Sequence, residues 1–198
     1  MPVVLGGDHS IAMGTLAGLR RARGAPAGLV WIDAHADINS PQTSGSGNVH
    51  GMPVWFALQE GYALPESTVQ IGLRDVDSGE KRTLRELGVT AFTMSDVDKL
   101  GMTTVLERAR EVAGSGGRPI HVSFDMDAID PSEAPGTGTP VRGGLSFREA
   151  HLIMEMLHES GRLGSVETVE INPIFDRRNQ TAVLAVDLIC SALGKSIL

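Results

Sequence analysis

The chain has 198 residues, 41% of them hydrophobic, enough to bury one substantial core, and a single domain over residues 1–198 is expected. Asp and Glu (24) outnumber Lys and Arg (17) for a formal charge of −7, and no cationic run occurs, which argues against nucleic acid and anionic membranes as partners. One cysteine excludes an internal disulfide, and neither a basic-then-apolar leader nor an apolar run of about 18 residues occurs, so a soluble, cytoplasmic protein is expected.

In chain order, residues 3–5 predict a short strand, followed by Gly6-Gly7-Asp8-His9-Ser10 and a helix over 11–23. A strand over 28–33 runs into Asp33-Ala34-His35-Ala36-Asp37 and a long polar loop, 38–49. Then come a helix (52–60), a strand (68–73), a helix (78–87), a strand (90–94) and a helix (97–112) stopped by Gly114-Ser115-Gly116-Gly117. A strand over 119–124 leads into Ser123-Phe124-Asp125-Met126-Asp127, and a second long loop, 128–144, follows. A helix (147–160), a strand (166–171) that carries Glu170, and a helix (179–193) complete the chain. Strands alternating with amphipathic helices predict an α/β fold, a parallel β-sheet flanked by helices on both faces. Nothing marks a repeat or an interdomain linker.

Three of these segments hold six good metal ligands: His9; Asp33, His35 and Asp37; Asp125 and Asp127. If the chain stays extended past each strand, residues two apart share a face, so each segment aims its ligands one way. Every segment follows the carboxyl end of a predicted strand, the edge along which open α/β sheets bind ligands. Four crowded carboxylates repel one another and lose hydration on burial, so they cannot all stay ionised without counter-charge. Two divalent cations would cancel them, and two aspartates would have to bridge. Oxygen donors outnumber imidazoles and no thiolate is present, which suits Mn²⁺, with Fe²⁺, Co²⁺ or Zn²⁺ as alternatives. Such a pair, typically about 3.5–4 Å apart, generates hydroxide near neutral pH.

His9 in Gly-Gly-Asp-His-Ser, Asp33-Ala34-His35-Ala36-Asp37, Gly47-Asn48-Val49-His50-Gly51, the run Ser123-Phe124-Asp125-Met126-Asp127-Ala128-Ile129-Asp130-Pro131 and Glu170-Ile171-Asn172-Pro173 resemble, in order, the motif series of the arginase and agmatinase (ureohydrolase) family. The resemblance implies an arginase-like three-layer α/β/α fold and two Mn²⁺ per chain. It implies that His9, Asp33, Asp37 and Asp125 bind one ion and His35, Asp33, Asp125 and Asp127 the other, with Asp33 and Asp125 bridging. It further implies that Glu170 holds a guanidinium, that His50 shuttles protons and that Thr139 lies near the guanidinium. A guanidinium is permanently charged and matches a carboxylate through paired hydrogen bonds. Asn39, Ser46 and Asn48 would meet a substrate carboxylate, and Asp77, with Glu80 nearby, a substrate ammonium. Asp77 reads equally well as a helix cap.

The expected activity is hydrolysis of the L-arginine guanidinium to L-ornithine and urea by a metal-bridging hydroxide, with Asp127 passing a proton to the leaving amine. Agmatine or another guanidino compound is the alternative substrate, and a catalytically impaired metal-binding homologue the alternative class. The family also implies a homo-oligomer, trimer or hexamer. Its members carry further strands and helices before the segment that resembles this chain, so residues 3–5 are expected to form an exposed edge strand of an N-terminally truncated sheet. Cys190, in an apolar run, reads as a packing residue. Gly194-Lys195-Ser196 lacks the glycine and the helix that a phosphate loop requires.

Overall fold

Strands separated by helices return to the same end of the sheet and pair in parallel. In the computed structural model, which describes residues 1–196, six strands do so. They are β1 (Val3–Leu5), β2 (Gly28–Ile32), β3 (Thr68–Leu73), β4 (Thr90–Thr93), β5 (Ile120–Asp125) and β6 (Leu163–Val169), in the order β1-β6-β5-β2-β3-β4. Six α-helices connect them, α1 (Ile11–Arg23), α2 (Pro53–Gln59), α3 (Ser78–Leu87), α4 (Met94–Leu100), α5 (Met102–Ala113) and α6 (Phe147–Glu159), and α7 (Gln180–Ala192) follows β6.

Every residue of β2 is buried, and its alternation splits the core in two. Val30 and Ile32 pack with Val105 and Leu106 of α5, Ile153 and Met154 of α6, and Leu184 and Leu188 of α7. Leu29 and Trp31 face the opposite layer, with Ala12 and Leu16 of α1, Val54 and Ala57 of α2, and Leu84 of α3. The result is the expected three-layer arrangement.

The helix predicted over 97–112 is two helices. A Thr93–Asp96 capping box starts α4 at Met94, which also ends β4 one residue early. Gly101, at φ 78°, then separates α4 from α5, a conformation no helical residue adopts. The last strand is displaced as well: β6 runs Leu163–Val169, so Glu170 lies just beyond it.

Close packing of β2 on α5 depends on a missing side chain. A Cβ on Gly28 would sit 1.8 Å from the Ala113 carbonyl oxygen, which is backbone and cannot rotate away. Gly28→Ala is therefore expected to destabilise the fold by about 3 kcal/mol or more, at the upper end of overpacking costs. The denaturation midpoint should fall accordingly, and an unchanged midpoint would refute the contact.

Sheet order places the functional edge. From β2 the chain steps outward to β3 and β4, then returns to β5 on the other flank of β2 and goes on to β6. The carboxyl ends of β2 and β5 thus open a crevice at the point where the winding reverses, where such sheets bind ligands. At one edge of the sheet, among the described residues, β1 pairs only with β6, and Val3 and Leu5 are 37% and 71% exposed, as expected of an edge strand. Among the described residues no helix is long and apolar enough to cross a membrane.

Candidate metal centre and substrate cleft

The ligand segments converge, though not by strand alternation. Strand β2 stops at Ile32, and Asp33 folds back so that its carboxylate accepts hydrogen bonds from the His35 amide (2.7 Å) and from Trp31 Nε1 (2.9 Å). Asp37 reaches the cavity by adopting φ 49°. Asp125 ends β5 and accepts from the Asp127 amide (2.7 Å), which opens the 3-10 turn Met126–Ala128 and swings Asp127 inward. Turns closed by carboxylates, rather than extended chain, aim these groups.

The geometry divides them into two sets. His9 Nδ1 lies 3.1 Å from Asp33, 3.2 Å from Asp37 and 3.0 Å from Asp125 carboxylate oxygens. His35 Nδ1 lies 3.1 Å from Asp127 and 3.4 Å from Asp33. Asp33 belongs to both sets, one oxygen to each, as a bridging ligand must. All these groups are buried except His35, which is partly open to the cleft.

The protonation pattern shows how much positive charge the cluster demands. Burial alone would depress both imidazoles, yet contacts with Asp125, Asp33 and Asp37 hold His9 well above its usual value. Asp127 and Asp33 likewise push His35 up to about 11. Burial and the neighbouring Asp33 charge raise Asp37 to about 8, and burial with Asp127 and Asp33 raises Asp125 strongly. Burial also acts to raise Asp33, but His35 and His9 overcome it and hold its carboxyl below the usual range. Protons occupy the cluster where cations of higher charge would serve. His9 Nδ1 faces the Asp33, Asp37 and Asp125 carboxylates at 3.0–3.2 Å, so the lone pair it carries once neutral points to where a shared cation would sit. Oxygen-rich donors with two imidazoles fit hard or borderline divalent ions.

Above this floor a cleft of about 290 Å³ is lined by His35, Asp37, Asp125 and Asp127 on one side and by Asn39, Ser46, Asn48, His50, Asp77, Glu80, Thr139 and Glu170 around its walls. That is room for an amino-acid-sized ligand, at the small end of binding cavities. His9 and Asp33 lie beneath it. Glu170 sits at φ 63°, and Asp37 shares the left-handed region, a strain that clusters at functional sites. The Glu170 carboxylate accepts from the His9 amide (2.7 Å), and burial raises its affinity for a proton. Asp77 does cap α3, accepting from the Gly79 and Glu80 amides, while Asn39 Nδ2 donates to its other oxygen (2.8 Å). Thr139 donates to Asp127 (3.0 Å), so its hydroxyl is placed on that carboxylate. His50, on the 3-10 turn Val49–Gly51, stands at the mouth, partly exposed.

Several contributors escaped the sequence reading. Trp31 stacks on His9 at 3.9 Å, and Asp75 lines the cleft 4.0 Å from His35 Nε2. The Arg74 guanidinium donates to the Asp127, Ala128 and Val141 carbonyls, tying the 128–144 loop to β3. An indole N–H in a fully buried strand must find an acceptor, and that requirement was the one available sign for Trp31.

A sequence profile of the Arginase family matches residues 1–194, a span that contains every candidate site residue named above. The chain belongs to the arginase family. An arginase from Bacillus subtilis is 48% identical over the whole chain, which covers 70% of that protein. The structure of an arginase from Bacillus caldovelox superposes with a TM-score of 0.94 at 47% identity, covering 100% of this chain and 70% of that one. A hypothetical agmatinase from Burkholderia thailandensis is also similar, at TM-score 0.83 and 34% identity over 96% of this chain and 57% of that one. The arginase-family fold thus accounts for the whole sheet and for the edge on which the cluster stands.

Proposed function

We propose that this arginase-family chain, acting as one domain and as a trimer or hexamer in the cytoplasm, uses two Mn²⁺ ions to hydrolyse L-arginine to L-ornithine and urea. The observation that carries the proposal is the pair of imidazole-carboxylate sets sharing Asp33 at the floor of a cleft walled by Glu170. His9, Asp33, Asp37 and Asp125 would hold one ion; His35, Asp127, Asp33 and Asp125 would hold the other. When bound, such a pair supplies Lewis acidity and a water acidified to near neutral pH.

The protein's own residues do the rest. Glu170 receives the guanidinium, and its backbone strain together with the His9 amide keeps the carboxylate in one orientation. Asp127, held by Thr139 and by the Ala34 amide (3.3 Å), keeps an acceptor beside the reacting carbon and passes a proton to the leaving amine. His50 relays protons between this site and bulk water, the task for which an imidazole is best suited near pH 7. Asn39, Ser46, Asn48 and Asp77 supply donors and an acceptor for the carboxylate and ammonium at the far end of arginine. Urea release from arginine after Mn²⁺ loading, with two ions per chain by elemental analysis, tests the proposal. No urea from a fully loaded protein would overturn it.

Metal loading should also be visible without turnover. At about 100 times the dissociation constant, each ion stabilises the fold by about 2.7 kcal/mol. Two ions would raise the unfolding midpoint by roughly 10–20 °C in a chain of this size. The free site holds protons on His9, His35, Asp37 and Asp125 that a cation must expel, so binding releases protons and tightens as pH rises. Calorimetry in buffers of different ionisation enthalpy should show that release, and an affinity independent of pH would contradict this protonation pattern.

A further inference from the structure

Beneath the cluster lies a second polar assembly, wholly enclosed. Strands β5 and β6 pair Ser123 with Glu167 and His121 with Ser165, and none of the four is exposed. Ser123 Oγ donates to Glu167 Oε1 at 2.7 Å and lies 2.8 Å from His9 Nε2. On the far side His121 Nε2 stands 3.6 Å from the same Glu167 oxygen, and His121 Nδ1 is 3.0 Å from Ser165 Oγ. Burial would favour a neutral Glu167, but His121, Ser123 and Thr15 of α1 hold its carboxyl below its usual range. Among the described residues no Lys or Arg pairs with this carboxylate.

An ionised carboxylate in a sheet interior is costly, and well-packed apolar residues would usually serve stability as well. Its connection to His9 gives it a task. To bind a cation through Nδ1, His9 must carry its proton on Nε2, and that N–H needs an acceptor. Ser123 Oγ is the acceptor only if its own hydrogen points elsewhere, and Glu167, which accepts and cannot donate, takes that hydrogen. A hydrogen-bond chain polarised in one direction makes each acceptor stronger. We propose that Glu167 is a positioning residue for the cation held at His9, fixing through Ser123 the imidazole tautomer that leaves Nδ1 free to ligate. This rests on the metal-centre reading above.

The 198-residue chain, as wild type and three variants (Glu167→Gln, Ser123→Ala and the double variant), would be titrated with Mn²⁺ against a competing chelator, and apoprotein unfolding would be followed in parallel. A glutamine can turn its amide N–H toward Ser123 and reverse the chain, so Glu167→Gln should weaken one of the two ions by about 10–100-fold, the range for such outer partners. The other ion should change by less than about threefold, by the same reasoning. Ser123→Ala should weaken the same ion, and the double variant should bind it no more weakly than Ser123→Ala alone, because the two act in series. Unchanged affinity in either single variant, equal loss at both ions, or additive losses would each overturn the proposal. Should Glu167→Gln fail to fold, Ser123→Ala, which leaves the Glu167–His121 pair in place, decides the matter. A wild-type protein that binds no Mn²⁺ would instead refute the metal-centre reading itself.

Discussion

Agmatine, which is arginine without its carboxylate, should be hydrolysed with a kcat/KM about 10⁴-fold or more below that for arginine. A site that hydrogen-bonds a substrate group rejects the analogue lacking it by roughly 10⁴ to 10⁵, since the site's polar groups are then left unpaired. Of the residues expected to meet the carboxylate, Asn39 is the buried one, and it is held between Asp77 and the Thr43 hydroxyl (2.8 Å), so its amide cannot turn away when the carboxylate is missing. Asp77, held by the first turn of α3, faces the ammonium that agmatine retains. The Asp77 charge stands ready for an ammonium before substrate arrives, with its geometry set by the helix it caps. Asp77→Ala should therefore lower arginine kcat/KM by about 10-fold or more, the worth of a hydrogen bond to a charged group. It should also remove about 1 kcal/mol of fold stability as a lost cap. A steady-state urea assay with both substrates, paired with denaturation of the variant, separates the two effects. Comparable turnover of arginine and agmatine by the wild-type protein would assign the cleft to another guanidino substrate.

The strand pattern and the ligand motifs could be read from the sequence because both are local. Apolar runs such as 28–32 and 68–73 are bounded by turn residues, and the Asp-x-His-x-Asp spacing brings three ligands within five positions. The three ligands do face one cavity, but strand alternation is not what brings them there. Alternation along a strand would place Asp33, His35 and Asp37 on one face, whereas carboxylate-closed turns and the φ of Asp37 bring them together. Strain of that kind leaves no mark in composition or period. The break at Gly101 was hidden because one apolar stripe continues from α4 into α5, and a single glycine within it reads as a tolerated defect. Ser123 and Glu167 lie 44 positions apart, and only the register of β5 on β6 makes them neighbours. Arg74 reaches the Asp127 carbonyl across 53 positions for a similar reason. Contacts of this kind follow from sheet order, which pattern alone does not determine.

Replacing Asp127 by asparagine should lower kcat for arginine by about 10²–10³-fold, the usual loss when one group aimed at developing charge is removed from an enclosed site. The substitution keeps the shape of the side chain, and its carbonyl oxygen can still accept from the Ala34 amide or from Thr139. What disappears is half of a charged pair: one oxygen becomes an N–H donor pointed either at His35 Nδ1 or at the Ala34 amide, where donor would meet donor. His9, Asp33, Asp37 and Asp125 are untouched, so the ion on that side should remain, and elemental analysis should find at least one Mn²⁺ per chain. His50→Ala offers the contrast. His50 lines the cleft from the turn Val49–Gly51, and among the described residues the imidazole contacts to the clustered carboxylates are made by His9 and His35, so its loss should cost less than about 10²-fold, below the range for a direct proton donor. Added imidazole buffer should restore part of the His50→Ala rate, because a relay to bulk water can be carried by a diffusing base. It should do nothing for Asp127→Asn, whose acceptor must sit beside the reacting carbon. Full activity in Asp127→Asn, or rescue of that variant by buffer, would move the proton-transfer role to another group in the cleft.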